Sequence, residues 1–274
     1  MRILKQLGAV VAVAVVGNLA VGATSGVVSL ALGALAGLAA LAAYARVVRR
    51  TEHRVPVEVT RAGAPAAIGR GVLIGLGMCV AVMATVAVFG GYHVHGWGSL
   101  SSAAGVLGVT VVVGVTEELV FRGVLLRVVE ERAGTWVALA STAALFGAIH
   151  LLNPHATPWG AIAIAVEAGA MLAAAFVATR TLWLPIGLHV GWNFALGGLF
   201  GTEVSGSGTA TGLVHGLTSG PVWLSGGEFG PEASVFTVLA GVLLTLVFLR
   251  LAHRRGRIVA NPRRAARAAA TTTV

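Results

Sequence analysis

Apolar runs of membrane length recur along the chain, separated by short polar joints. They fall at 6–23, 26–46, 69–91, 104–127, 134–152, 159–179, 182–200 and 233–250. About 20 residues at 1.5 Å each cross the hydrocarbon core of a bilayer. The pattern predicts an all-α fold, a polytopic transmembrane helical bundle of about eight spans. The first two runs are joined by a very short turn, and their alanine and glycine content suits close helix packing in lipid. The fourth run is the long one, and its inner end carries Glu117, Glu118, Arg122 and Arg127. No internal repeat is evident, which weakens a transporter reading built on duplicated halves.

Composition supports this picture. Of 274 residues, 57% are hydrophobic and 11% charged, against about 25% charged in an average soluble domain. Such a chain cannot cover a water-facing surface. The 38 glycines show no every-third-residue period, which excludes collagen. A formal net charge of +9 invites a nucleic-acid reading, but the arginines cluster at 46–61, 122–132 and 250–267, beside apolar runs. That is the positive-inside pattern, so the expected partner is the lipid bilayer, with no nucleic acid. The single Cys79 excludes an intramolecular disulfide and a multi-cysteine metal site. The basic start and apolar run of the N-terminus resemble a signal peptide, but a second apolar run follows at once, so it reads as a retained first helix.

The arginines also give an expected topology. The linker 46–63 lies inside, and with eight spans both termini are cytoplasmic in a multi-pass protein of the cell membrane. The loop after the third run and the Gly/Ser-rich stretch 201–231 lie outside, the latter read as a flexible loop. The chain divides into N-terminal helices and linker (1–100), a central core (101–200), an outer loop with the last helix (201–252) and a basic cytoplasmic tail (253–274).

Three ionisable groups in VTEELVFRG, residues 115–123, stand out because charge inside a membrane is costly unless paired or used. Glu118 and Arg122 are i and i+4 on a helix, so they face each other. Glu117 points elsewhere and has no local partner, which makes it a candidate general base. His150 ends the fifth run, and His189 and Asn193 share a face of the seventh. A histidine holds a water, donates to an oxyanion or binds zinc; an asparagine donates to developing negative charge. A base, an orienting histidine and two donors form a hydrolytic constellation around a polar intramembrane cavity. Glu167, alone in the sixth run, ranks lower. His93, His95, His155, His215 and His253 fall in loops or at ends, and Trp97, Trp159 and Trp183 fall near interfaces.

EELVFR at 117–122, FGAIH at 146–150 and HVGWN at 189–193 match, in order, the motifs EExxxR, FxxxH and HxxxN/B. The stretch 100–200 thereby resembles the CAAX-prenyl-protease-like and bacteriocin-processing (CPBP, Abi) intramembrane proteases. The resemblance implies that Glu117 activates a water, His150 positions it, and His189 and Asn193 stabilise the oxyanion. Arg122 would hold Glu118, with Phe146 packing beside the site. The implied reaction is endopeptidase hydrolysis of a peptide or protein substrate at the membrane, which lipid modification would suit. The family is commonly labelled metallo-protease, and Glu117, His150 and His189 would make a zinc site with one open position. Asn193 beside His189 favours an oxyanion donor and a mechanism without zinc. Two other readings stay open: a non-catalytic immunity or scaffolding member, and a transporter.

The run boundaries carry one difficulty. They set His150 near the outer end of its span, Glu117 deeper and His189 nearer the inside, with depths differing by about 10 Å.

Overall fold

The computed structural model describes residues 1–208 and 211–261. Helices α1 (Arg2–Gly22), α2 (Gly26–Glu52) and α3 (Ala64–Val88) are followed by strand β1 (Tyr92–Trp97). Helix α4 (Leu100–Glu118) runs through a π-helical stretch, Leu119–Leu126, into α5 (Arg127–Ala133). Helix α6 (Thr135–Ile149) turns at His150 into α7 (Pro158–Ile164), which passes through a second π stretch, Ala165–Ala170, into α8 (Met171–Thr179). Helix α9 (Trp183–Asn193) ends in a third, Phe194–Leu199. Strand β2 (Val214–Thr218), the short α10 (Val222–Ser225) and α11 (Val235–Arg254) complete the fold. It is a helical bundle with one antiparallel strand pair, β1 with β2.

Among the described residues, seven helical segments are long and apolar enough to cross a membrane. The protein is a multi-pass membrane protein. The seventh expected span, 182–200, is present as α9, an 11-residue helix with a six-residue π extension. Nearly all of α9 is buried. It packs chiefly on α3 and α4 and lies inside the bundle.

Backbone-close packing seats α9. On α3, Gly71 and Gly75 face α9; on α9, Gly187 and Gly191 face α3. A Cβ on Gly75 would lie 2.3 Å from the Leu188 carbonyl oxygen, and one on Gly191 2.6 Å from that of Val72. Small residues spaced by four let helices approach with no side chain between them. The same device joins α2 to α4, where a Cβ on Gly33 would meet the Gly108 carbonyl at 2.1 Å. Gly75→Ala is therefore expected to destabilise the protein by about 1–3 kcal/mol through overpacking. Gly77→Ala, two residues on with nothing within 4 Å, is expected to be neutral or to gain up to about 1 kcal/mol of helix propensity. Thermal unfolding of the two variants in one detergent compares them directly; equal midpoints would mean that the glycine contact does not hold α9.

At the end of the bundle near Gly134, Arg54, Arg127 and Arg180 are paired with carboxylates. Arg127 donates to Glu52 at 2.7 Å, Glu58 at 3.1 Å and the Gly123 carbonyl at 3.0 Å. Arg54 donates to Glu58 at 2.7 Å. Burial pushes the Glu58 carboxyl upward, but the Arg54 hydrogen bonds, the Arg127 charge and the Tyr44 hydroxyl outweigh it and hold the group below its ordinary value. Arg180 pairs with Glu130. The linker between α2 and α3 is thus fastened to the far end of the fourth span.

Two expectations are corrected. The fourth span does not end near 127: the helical path from Leu100 continues to Ala133. Nor is 201–231 a flexible loop. Several of its glycines serve contacts between backbones. A Cβ on Gly201 would lie 1.9 Å from the Val214 carbonyl, one on Gly212 2.3 Å from that of Gly198, and one on Gly226 1.7 Å from that of Gly230. Phe229, Glu232 and Ala233 are buried, so the described part of the segment folds back onto the helices. The basic tail from 262 onward lies outside the described residues.

Candidate active site

The longer fourth span removes the difficulty of depth. Glu117 and His150 stand almost equally far, by residue count, on either side of the Gly134 turn. Antiparallel helices leaving one turn reach equal heights after equal lengths. Glu117, His150, His189 and Asn193 accordingly line a single cavity of about 620 Å³, with Phe146 in its wall. The remaining wall is largely apolar, including Val109, Val113, Ile149 and Met171.

Each polar group is set by a neighbour. Arg122, 1% exposed, donates to Glu118 at 2.7 Å. The other side of its guanidinium donates to the carbonyls of Ala168 and Gly169 at 3.2 and 3.0 Å. Those carbonyls belong to the π stretch between α7 and α8, where the i to i−4 ladder is interrupted and acceptors face outward. The guanidinium carbon also lies 4.8 Å from the centre of the Phe146 ring, a cation–π contact. Glu118 in turn accepts from His189 Nδ1 at 3.0 Å. The pair is therefore not the self-contained neutraliser that its i, i+4 spacing suggests. It ties α4 to α6, α8 and α9 and fixes the imidazole.

The hydrogen bonds also assign the ring nitrogens. A carboxylate only accepts, so His189 Nδ1 carries a proton and Nε2 is the nitrogen directed to Glu117, 3.8 Å from its Oε2. His150 Nδ1 lies 2.7 Å from the Phe146 carbonyl, so it too carries a proton and Nε2 is left for the cavity. A neutral His189 would present a lone pair there, and only the imidazolium presents an N–H. Glu117 itself, about a quarter exposed on its side chain, makes no direct hydrogen bond from Oε2.

Among the described residues, no three His, Cys, Asp or Glu side chains converge closely enough to hold a metal ion. Glu117, His150 and His189 share the cavity but do not form a ligand set. Cys79 is buried and unpaired with any other cysteine.

Two cavity residues were ranked low or missed. Glu167, from the π stretch after α7, is fully buried and lines the cavity. Glu232, in the segment read as an outer loop, lines it from the far side. It accepts from Trp192 Nε1 at 3.2 Å, from the Ser205 hydroxyl at 3.1 Å and from the Ser205 backbone N–H. Its sequence signal was a lone carboxylate in FGPEASVF, directly ahead of an apolar run.

Residues 99–195, from the start of α4 through α9, match the family model described as type II CAAX prenyl endopeptidase Rce1-like. No curated protein and no solved structure matches the chain.

Proposed function

We propose that the protein, whose residues 99–195 match the type II CAAX prenyl endopeptidase Rce1-like family model, is an intramembrane endopeptidase of the cell membrane with Glu117 as its general base. The observation that carries this reading is the shared cavity: a carboxylate whose Oε2 has no hydrogen-bond partner among the described residues, two imidazoles and a carboxamide surround one space large enough for water and a peptide segment. The substrate would be a membrane-adjacent peptide or protein segment, which lipid modification would help to partition into the apolar part of the cavity. Both termini would lie in the cytoplasm.

In the reaction, a water near Glu117 and His150 Nε2 attacks the scissile carbonyl carbon while its proton passes to Glu117. The carbonyl oxygen becomes an oxyanion, stabilised by the Asn193 carboxamide N–H and by His189 as an imidazolium donating from Nε2. Glu118 favours that charged form of His189 through the Nδ1 bond. Glu117 then returns its proton to the departing amide nitrogen, the C–N bond breaks, and the products are an amine and a carboxylic acid that ionises by giving up the second proton of the water. Arg122 and Phe146 position the helix and the rings without touching the reacting atoms.

Purified protein in vesicles, incubated with a peptide library and read by mass spectrometry, tests the proposal. Internal cleavage that a zinc chelator leaves unchanged is expected. No internal cleavage of any peptide would overturn the endopeptidase reading, and activity lost to chelator and restored by zinc would overturn the metal-free route.

A further inference from the structure

We propose that the part of the cavity bounded by Glu167 and Glu232 is a subsite for a cationic side chain, lysine or arginine, of the peptide substrate. The proposal rests on the endopeptidase reading above and names a substrate preference for the same cavity.

Three carboxylates, Glu117, Glu167 and Glu232, line the cavity, and among the described residues no lysine or arginine does. The nearby guanidinium of Arg122 is turned to Glu118 and two carbonyls. Glu167 is 0% exposed, yet neither of its carboxylate oxygens has a hydrogen-bond partner. A buried carboxylate without a partner is costly, and a cation brought in from outside removes that cost.

The group is also held in place. On one side Gly241 of α11 brings its backbone so close that a Cβ there would meet the Glu167 Cα at 2.4 Å. On the other, Arg122 grips the next two carbonyls of the same stretch. The backbone that carries Glu167 is thus held on both sides. Glu232 faces the same space and is fixed by Trp192 and Ser205.

An organic cation fits better than a metal ion, because no three potential ligands converge among the described residues. A long flexible ammonium or guanidinium enters such a space from a peptide already bound at the base. Glu167 lies inside the stretch that matches the family model and Glu232 beyond it, so the folded-back segment supplies half of the recognition.

The test uses the full chain in vesicles and peptides in which one position at a time holds lysine, arginine, norleucine or citrulline. Citrulline keeps the length of arginine, and norleucine the four-carbon stem of lysine, without the charge. At one position, lysine and arginine are expected to exceed their neutral counterparts by about tenfold in kcat/KM, mainly through KM. Glu167→Gln and Glu232→Gln are each expected to shrink that ratio. Equal kcat/KM for charged and neutral peptides at every position in the unaltered protein would overturn the proposal whether or not the variants fold. So would a ratio that both folded variants leave intact. If no peptide is cleaved, the endopeptidase reading fails separately. Binding of a fluorescent lysine peptide against its norleucine counterpart then decides the subsite: equal affinity overturns it, and tighter binding of the lysine form that Glu167→Gln abolishes supports it.

Discussion

Glu117→Gln is expected to lower kcat by roughly 10²–10⁴-fold, the usual contribution of a positioned general base, while leaving the thermal midpoint in detergent nearly unchanged. The two halves of this expectation come from one feature. Glu117 Oε2 has no hydrogen-bond partner among the described residues, and His189 Nε2 is 3.8 Å away. Glutamine of the same shape therefore breaks no existing bond, but it cannot take a proton from water. Glu117→Asp makes the complementary test. It keeps the carboxylate and draws it back by one methylene, and a misplacement of about 1 Å costs up to about 10²-fold. Aspartate should thus fall between the parent and glutamine. Steady-state cleavage in vesicles, with unfolding measured on the same preparations, checks both. A Glu117→Gln protein that cleaves at the parent rate would remove the base and the mechanism with it.

The separability of Glu117 from the fold was legible in the sequence. Helical spacing alone turned Glu118 toward Arg122 and left Glu117 facing away. Helical geometry is local, so an i, i+4 pair is readable without tertiary knowledge. The spans were legible for a related reason: apolar length is a property of consecutive residues. The three motifs then ordered His150, His189 and Asn193 around one cavity, where the structure places them.

What was not legible depends on contacts between distant segments. The apolar run ends at 127, beside the arginine cluster 122–132 that marks the inner side. In the fold, Arg127 is satisfied by Glu52, Glu58 and Gly123, so the helix continues beneath its own charges. That continuation is what brings Glu117 level with His150. The segment 201–231 was read as flexible because glycine and serine are frequent in linkers. Here glycine admits close backbone contact instead, at Gly201 against Val214 and at Gly212 against Gly198. Composition does not distinguish a mobile glycine from a tightly packed one. The same blindness hid Glu232, whose partners Trp192 and Ser205 lie far away in sequence. The three π stretches were also unseen. They follow Glu118, surround Glu167 and follow Asn193, so each core helix departs from regular geometry beside a cavity residue. Such departures carry no reliable sequence signal, and they recur at functional sites because they release carbonyls and re-aim side chains.

The second large effect is expected at Arg122. Arg122→Met removes one member of a fully buried ion pair and leaves the Glu118 carboxylate without its cation. Breaking a buried pair in this way typically costs about 3–5 kcal/mol. The change also abandons the Ala168 and Gly169 carbonyls. A marked fall in the unfolding midpoint should accompany loss of cleavage. Arg122→Lys is expected to be intermediate, because an ammonium is a point charge and cannot span Glu118 and both carbonyls as the guanidinium fork does. The double variant Glu118→Gln, Arg122→Met separates the two roles of the pair. With no charge left unpaired, much of the lost stability should return. Cleavage should not, since glutamine at 118 no longer supplies the negative charge that favours imidazolium at His189, the form that presents Nε2–H to an oxyanion. Thermal unfolding and cleavage rates on the three proteins distinguish these outcomes. A double variant that regains activity along with stability would show that Glu118 and Arg122 serve the fold alone, and His189 would then need another source for its charge.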